Sequence, residues 1–213
     1  MSPRPAKAVR GRTGDDPATA LRDLLIDTAE RLIGERPAAA ITTREIARAA
    51  GVSDGVLYNY FADKNDLIIT ALVRRHTDAL GRYDLALPVA GSATVTENLA
   101  ACALAAIDLV TTTLPAAGAL LSEPALLHRF FAEIHQSPLG PHRMVGPIAE
   151  YLAEEQRIGR LGSFDIDAAA TVLLGSAIML RFSVAFGGAA PEHIVERVHA
   201  VVATVVRGFG PTP

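Results

Sequence analysis

Residues 42–75 read TTREIARAAGVSDGVLYNYFADKNDLIITALVRR and hold three helix starts and two stops. Thr42 followed by Glu45 is a capping box for a helix of about two turns ending at Ala50, and Gly51 suits the left-handed conformation that closes it. Ser53 caps a second short helix through Tyr60, and Asp63 with Asp66 caps a third that runs on to about Leu80. The stretch therefore predicts a short helix, a tight turn, a second short helix and then a long one.

Outward from this stretch the same periodicity continues. Upstream, Asp16 as N-cap with Pro17 at the first helical position opens a helix that stops near Arg36, before Pro37. Leu21, Leu24, Leu25, Thr28, Leu32 and Ile33 form its apolar face. Ahead of it, residues 1–16 make a flexible arm. Its Arg4, Lys7, Arg10 and Arg12 suit a minor-groove or phosphate contact, and it lacks the apolar segment of a secretory signal. Downstream, Thr94 and Glu97 open a helix to about Thr113. Pro115, Pro124, Pro138, Pro141 and Pro147 are expected to break the following region into shorter helices. Two strong helices finish the chain, Asp165 to about Phe186 and Pro191 to about Phe209. Runs with strand alternation are hard to find, so the fold is predicted to be all-α.

The 213 residues are 50% hydrophobic and 20% charged, enough for a substantial core. The net charge of −3 divides unevenly. Residues 1–82 carry thirteen Arg or Lys against eleven Asp or Glu, and the remainder seven against twelve. One cysteine, Cys102, excludes an internal disulfide framework, and no CxxC or Cys/His cluster offers a structural zinc site. Apolar runs at 99–107 and 172–180 fall short of the ~20 residues a membrane helix needs, so no span and a cytoplasmic location are expected.

Ile46, Ala47, Ala50, Gly51, Val52, Leu57 and Phe61 have the distribution of a helix-turn-helix: a small residue at the helix crossing, glycine at the turn, and apolar residues fixing the angle. In that motif the second helix lies in the major groove and presents its exposed residues, here Asp54, Gly55, Val56, Tyr58, Asn59 and Tyr60, to base edges. Over residues 20–70 the chain resembles the TetR family of transcriptional regulators. The likeness rests on Thr42-Thr43-Arg44, Gly51-Val52-Ser53, Leu57-Tyr58, Tyr60-Phe61 and Lys64. It implies that Thr42, Thr43, Tyr60 and Lys64 hold DNA phosphates, and that Arg44, Asp54, Gly55, Val56, Tyr58 and Asn59 face the groove.

The residue chemistry agrees. Lys64 is one of two lysines in the chain and sits at a helix N-terminus, where a cation is disfavoured unless it has a use. Arg44 suits guanine O6 and N7, and Asn59 suits adenine. Asp54 either accepts from cytosine N4 or stabilises the helix dipole, and the second is the better fit.

Three domains are expected: the arm at 1–16, a helix-turn-helix domain with its linking helix at 17–82, and a helical effector-binding and dimerisation domain at 83–213. The resemblance implies a four-helix dimer bundle from the last two helices, which are apolar over too much of their circumference to face water. Gly175, Ile178, Phe182, Val198 and Val202 are the candidate dimer residues. His128, Phe130, Phe131, His135, Met144 and Tyr151 are candidates for an effector pocket.

The partners expected are a palindromic double-stranded DNA operator, a second copy of the chain and a small hydrophobic effector that releases a repressor from the nucleoid. No cofactor, metal or membrane is expected. Catalysis is disfavoured because nucleophile elbow, P-loop, dinucleotide fingerprint and zincin helix are all missing. Cys102, within LAACALAAI, reads as a buried small hydrophobe. A helical interaction module without DNA binding remains the alternative, resting on Asp54 and the modest charge of the front half.

Overall fold

A computed structural model describes residues 16–118, 120–121, 123–136, 139–140, 142–188 and 190–208. The basic arm and Phe209 lie outside them, as do Pro138 and Pro141. Among the described residues all regular structure is helical, in the order α1 (Pro17–Glu35), α2 (Thr43–Ala50), α3 (Asp54–Leu57), α4 (Lys64–Ala86), α5 (Val95–Gly118), α6 (Pro124–Gln136), α7 (His142–Arg157), α8 (Ile166–Ala185) and α9 (Ile194–Gly208). The chain divides into two compact units, one of Met1–Arg75 with Leu114–Glu133 and one of His76–Thr113 with Ile134–Pro213.

In the first unit, α1 begins at Pro17 and ends at Glu35 as its punctuation predicts, although the Asp16 side chain makes no capping bond. Its buried face comprises Leu25, Ile26, Thr28, Ala29, Leu32 and Ile33, and the Thr28 hydroxyl bonds inward to the Leu24 carbonyl at 2.7 Å. Ile46 and Ala47 of α2 are fully buried, as is Leu57 of α3. Each large apolar side chain removed from water in this way contributes about 1.5–3 kcal/mol. Arg74 of α4 meets Glu30 at 2.9 Å, Asp23 at 3.9 Å and Asp27, so one guanidinium holds three carboxylates of α1. The Arg22 guanidinium lies 5.3 Å from the centroid of the Phe61 ring.

Both ends of α2 follow local rules. The Thr42–Glu45 capping box is complete, and Gly51 closes the helix at φ 72°. Val52 N–H reaches back to the Ala47 carbonyl at 2.9 Å. The next helix departs from expectation. Instead of 53–60, α3 spans only Asp54–Leu57, and 58–60 form turns in which Asn59 N–H bonds Val56 O and Tyr60 N–H bonds Leu57 O, both at 3.1 Å. Gly55, β-branched Val56 and Asn59 are weak helix formers, so the winding tightens while Phe61 enters the core at 3% exposure. The third start holds: Asp66 N–H bonds the Asp63 carboxylate at 2.7 Å, and α4 runs past Leu80 to Ala86.

The second unit is built from α7, α8 and α9 with parts of α4 and α5. Tyr83, Leu99, Ile148, Leu152 and Leu173 form its centre, together with many alanines. The Thr94–Glu97 capping box opens α5 as expected, but the helix passes Pro115 and ends at Gly118. Pro124 opens α6, whereas Pro147 sits inside α7. An internal proline costs ~3 kcal/mol, and the neighbouring buried residues Ile148, Tyr151 and Leu152 offset it here. Two segments, Val95–Thr113 and Ile166–Ala185, are long and apolar enough to cross a membrane by length and composition. In the first, 56% of the apolar window is buried; in the second, 33%.

The glycines of the corner give opposite expectations. Gly51→Ala is strained at positive φ and is expected to cost about 1–2 kcal/mol in urea denaturation. Gly55→Ala has open space in a helical backbone and is expected to add up to ~1 kcal/mol.

Candidate nucleic-acid interface

The residues at the α2–α3 corner are sorted by what their side chains already touch. Thr42 spends its hydroxyl on the cap, donating to Glu45 Oε2 at 2.9 Å and accepting from Glu45 N–H at 3.3 Å. The Thr42 backbone N–H and hydroxyl, with Arg36 at 3.1 Å, hold the Glu45 carboxyl below its ordinary range. Thr43 is half-buried at the start of α2. Arg44 projects into solvent, and its Nε donates to Asp54 Oδ2 at 3.2 Å.

That contact changes the reading of Asp54. Dipole stabilisation is weak in a helix of four residues, and the carboxylate meets a neighbouring guanidinium instead. Gly55, Tyr58 and Asn59 are exposed, and Val56 and Tyr60 half-buried. Tyr58 is 58% exposed directly after the fully buried Leu57. Lys64 is half-buried at the start of α4 and donates to the Ala38 carbonyl at 3.3 Å. The corner therefore groups all ten sequence-predicted residues within one unit. The Arg44–Asp54, Lys64–Ala38 and Arg22–Phe61 contacts were not foreseen, because no local spacing marks pairs 10, 26 and 39 residues apart.

The effector candidates are divided between the two units. His128, Phe130 and Phe131 belong to the first unit, with the two rings 5.7 Å apart, Phe130 buried and Phe131 exposed. His135, Met144 and Tyr151 belong to the second. There the Met144 carbonyl accepts from the Tyr83 hydroxyl at 2.7 Å, and Tyr151 is buried with its hydroxyl donating to Glu155 at 2.7 Å. Glu155 is fully buried, accepts from Gly91 N–H at 3.1 Å through Oε1, and forms an ion pair through Oε2 with Arg160 Nε at 3.3 Å. Sequence reasoning missed this carboxylate because it stands among solvated charges in AEEQR.

The dimer candidates also separate. Val198 and Val202 are each 1% exposed in their own unit's core, so they offer no surface to a second copy. Their spacing of four puts both on the inward stripe of α9. Gly175 is exposed and Ile178 and Phe182 half-buried. Gly175 and Phe182 line an open groove of about 790 Å³ with Met179, Phe186, Arg197 and Val201, and no effector candidate lines it. Burial pushes the Cys102 thiol up to about 12, which keeps it protonated and unreactive.

Residues 25–71 match the family model described as bacterial regulatory proteins, tetR family. The likeness to the TetR family is carried by these residues, about a fifth of the chain. That family is one of regulators rather than enzymes. An HTH-type transcriptional repressor, KstR2 of Rhodococcus jostii, is 36% identical over 83 residues, 39% of this chain and 38% of that protein. An uncharacterised HTH-type regulator of Mycobacterium tuberculosis is 48% identical over 60 residues, 28% of this chain and 29% of that protein. The matches thus span well under half of either relative. The fold extends further: FadR of Bacillus subtilis, solved in complex with stearoyl-CoA, superposes with a TM-score of 0.62 at 21% identity, covering 87% of this chain and 98% of that one. The TetR-type corner is where sequence likeness concentrates, and it coincides with the exposed Arg44, Tyr58 and Asn59.

Exposure at this corner sets the cost of truncation. Tyr58→Ala is expected to change stability by no more than ~0.5 kcal/mol. Its neighbour Leu57→Ala is expected to lose about 2–5 kcal/mol, both read from urea midpoints.

Proposed function

We propose that this protein is a ligand-responsive transcriptional repressor that binds a palindromic DNA operator as a homodimer and is released by a small hydrophobic effector. The observation that carries the reading is the corner at α2 and α3. There Leu57 and Phe61 are buried as pegs while Arg44, Tyr58 and Asn59 stand in solvent with no packing duty. Residues 17–82 read DNA and supply the linking helix. Arg44, Asp54, Gly55, Val56, Tyr58 and Asn59 face the major groove, and Thr42, Thr43, Tyr60 and Lys64 meet phosphates. Residues 1–16 supply a basic arm, and 83–213 bind effector and pair the two copies. The protein works in the cytoplasm, at the nucleoid.

The dimer proposal rests on α8, whose Val172, Met179 and Phe186 are 52%, 66% and 82% exposed. Such an apolar surface is what a second copy would cover, with Gly175, Ile178 and Phe182 at the contact. A two-fold protein then matches half-sites ~34–36 Å apart. The stearoyl-CoA bound by FadR supports an effector with an apolar part, and of the candidates His135, Met144 and Tyr151, which share the second unit, are the proposed contacts.

Selection of random-sequence duplexes by the purified protein is expected to recover a palindrome whose affinity falls steeply with salt, and weak retention of all sequences alike overturns the reading. Lys64→Ala is expected to weaken binding to every duplex and to lower the salt slope by ~1 per half-site. Gly175→Glu adds a charge where no atom lies within 4 Å of a new Cβ, so the protomer keeps its fold. Light scattering is expected to report monomers, and a persistent dimer moves the interface elsewhere.

A further inference from the structure

The Arg44–Asp54 pair joins the first turn of α2 to the first residue of α3, across the corner of the helix-turn-helix. Its side chains are 85% and 52% exposed, and a pair so open to water contributes little to folding. It is therefore not a strut. The carboxylate takes Nε of Arg44 at 3.2 Å, and among the described residues neither terminal nitrogen of that guanidinium makes a hydrogen bond. A guanidinium held from its Nε side keeps its terminal N–H groups for a planar, two-pronged partner.

We propose that Asp54 is a specificity-determining positioning residue that anchors Arg44 by its Nε edge, so that the terminal N–H fork is presented to a guanine rather than to the DNA backbone. The inference rests on the DNA-reading function proposed above. An unanchored arginine on an exposed helix samples many rotamers and finds phosphates, which lie on every sequence alike. The anchored one has paid that ordering cost beforehand and offers the geometry that matches guanine O6 and N7. Asp54 itself repels the full charge of a phosphate more than the partial charges of guanine O6 and N7, so it penalises backbone binding by Arg44 more than it penalises a guanine. The negative residue in the groove thus trades total affinity for discrimination.

The test uses the full-length protein as wild type, Asp54→Ala, Arg44→Ala and the double variant. Fluorescence anisotropy measures each against two duplexes, the sequence that wild type selects from a random library and a scrambled duplex of the same composition, over about 50–200 mM salt. Asp54→Ala is expected to lower the ratio of selected to scrambled affinity by ~10-fold, chiefly by tighter binding to the scrambled duplex, with a salt slope steeper by about one per half-site. In the Arg44→Ala background the same change is expected to do nothing further. An unchanged ratio overturns the proposal. So does an equal fall without Arg44, which assigns the effect to long-range repulsion by the carboxylate. If wild type selects no sequence, the regulator reading fails and this inference with it; if wild type selects a sequence and the ratio holds, only the inference fails. Thermal denaturation of Asp54→Ala, expected to match wild type, excludes unfolding as the cause.

Discussion

Leu57 is fully buried, and the surface around the corner depends on that burial. Between a capped α2 and the start of α4, the chain has room for a single turn of α-helix. One apolar side chain of that turn must be held in the core if its neighbours are to have fixed directions. Gly51 lets α2 end abruptly at φ 72°, Ile46 and Ala47 allow the close crossing, and Phe61 secures the exit. With both pegs in place, Tyr58 and Asn59 have nowhere to go but outward.

Several of the charges nearby are already engaged. Arg36 is engaged by Glu45, Arg44 by Asp54, Arg74 by three acids of α1, and Lys64 by a backbone carbonyl. In the proposed role, binding DNA therefore exchanges protein partners for phosphates and bases instead of filling an empty basic patch. This is consistent with a chain whose net charge is −3. Affinity in such a system comes from geometry and from two copies acting together, and individual cations add increments to it.

The second unit follows a different economy. Alanines let α5 and α8 contribute to a dense core, and the buried carboxylate of Glu155 meets Tyr151 inside it and the exposed Gly91 and Arg160 at its edge. The same composition leaves one face of α8 apolar in solvent, with Met179 and Phe186 the most exposed. Apolar composition alone does not say whether a residue faces the core, a partner or a lipid. On α9 the inward stripe took Val198 and Val202, and on α8 the outward face kept Gly175.

Local signals were the legible part. Thr42 and Glu45, Thr94 and Glu97, Asp63 and Asp66, Gly51 and the proline at Pro17 each act within one turn of helix, so their residue types determine helix starts and stops from sequence alone. The helical class follows from the same short-range chemistry, whereas the ten corner residues are singled out by the helix-turn-helix pattern together with the family resemblance. The tertiary structure decided what depends on distant neighbours: that α3 shortens as Phe61 is drawn inward, that Pro147 is tolerated inside α7, and that the effector candidates fall in two units. It also decided that Asp54 answers to Arg44. Burial and ion pairing are set by which surfaces meet in space, and residues far apart in the chain carry no periodic mark of that meeting.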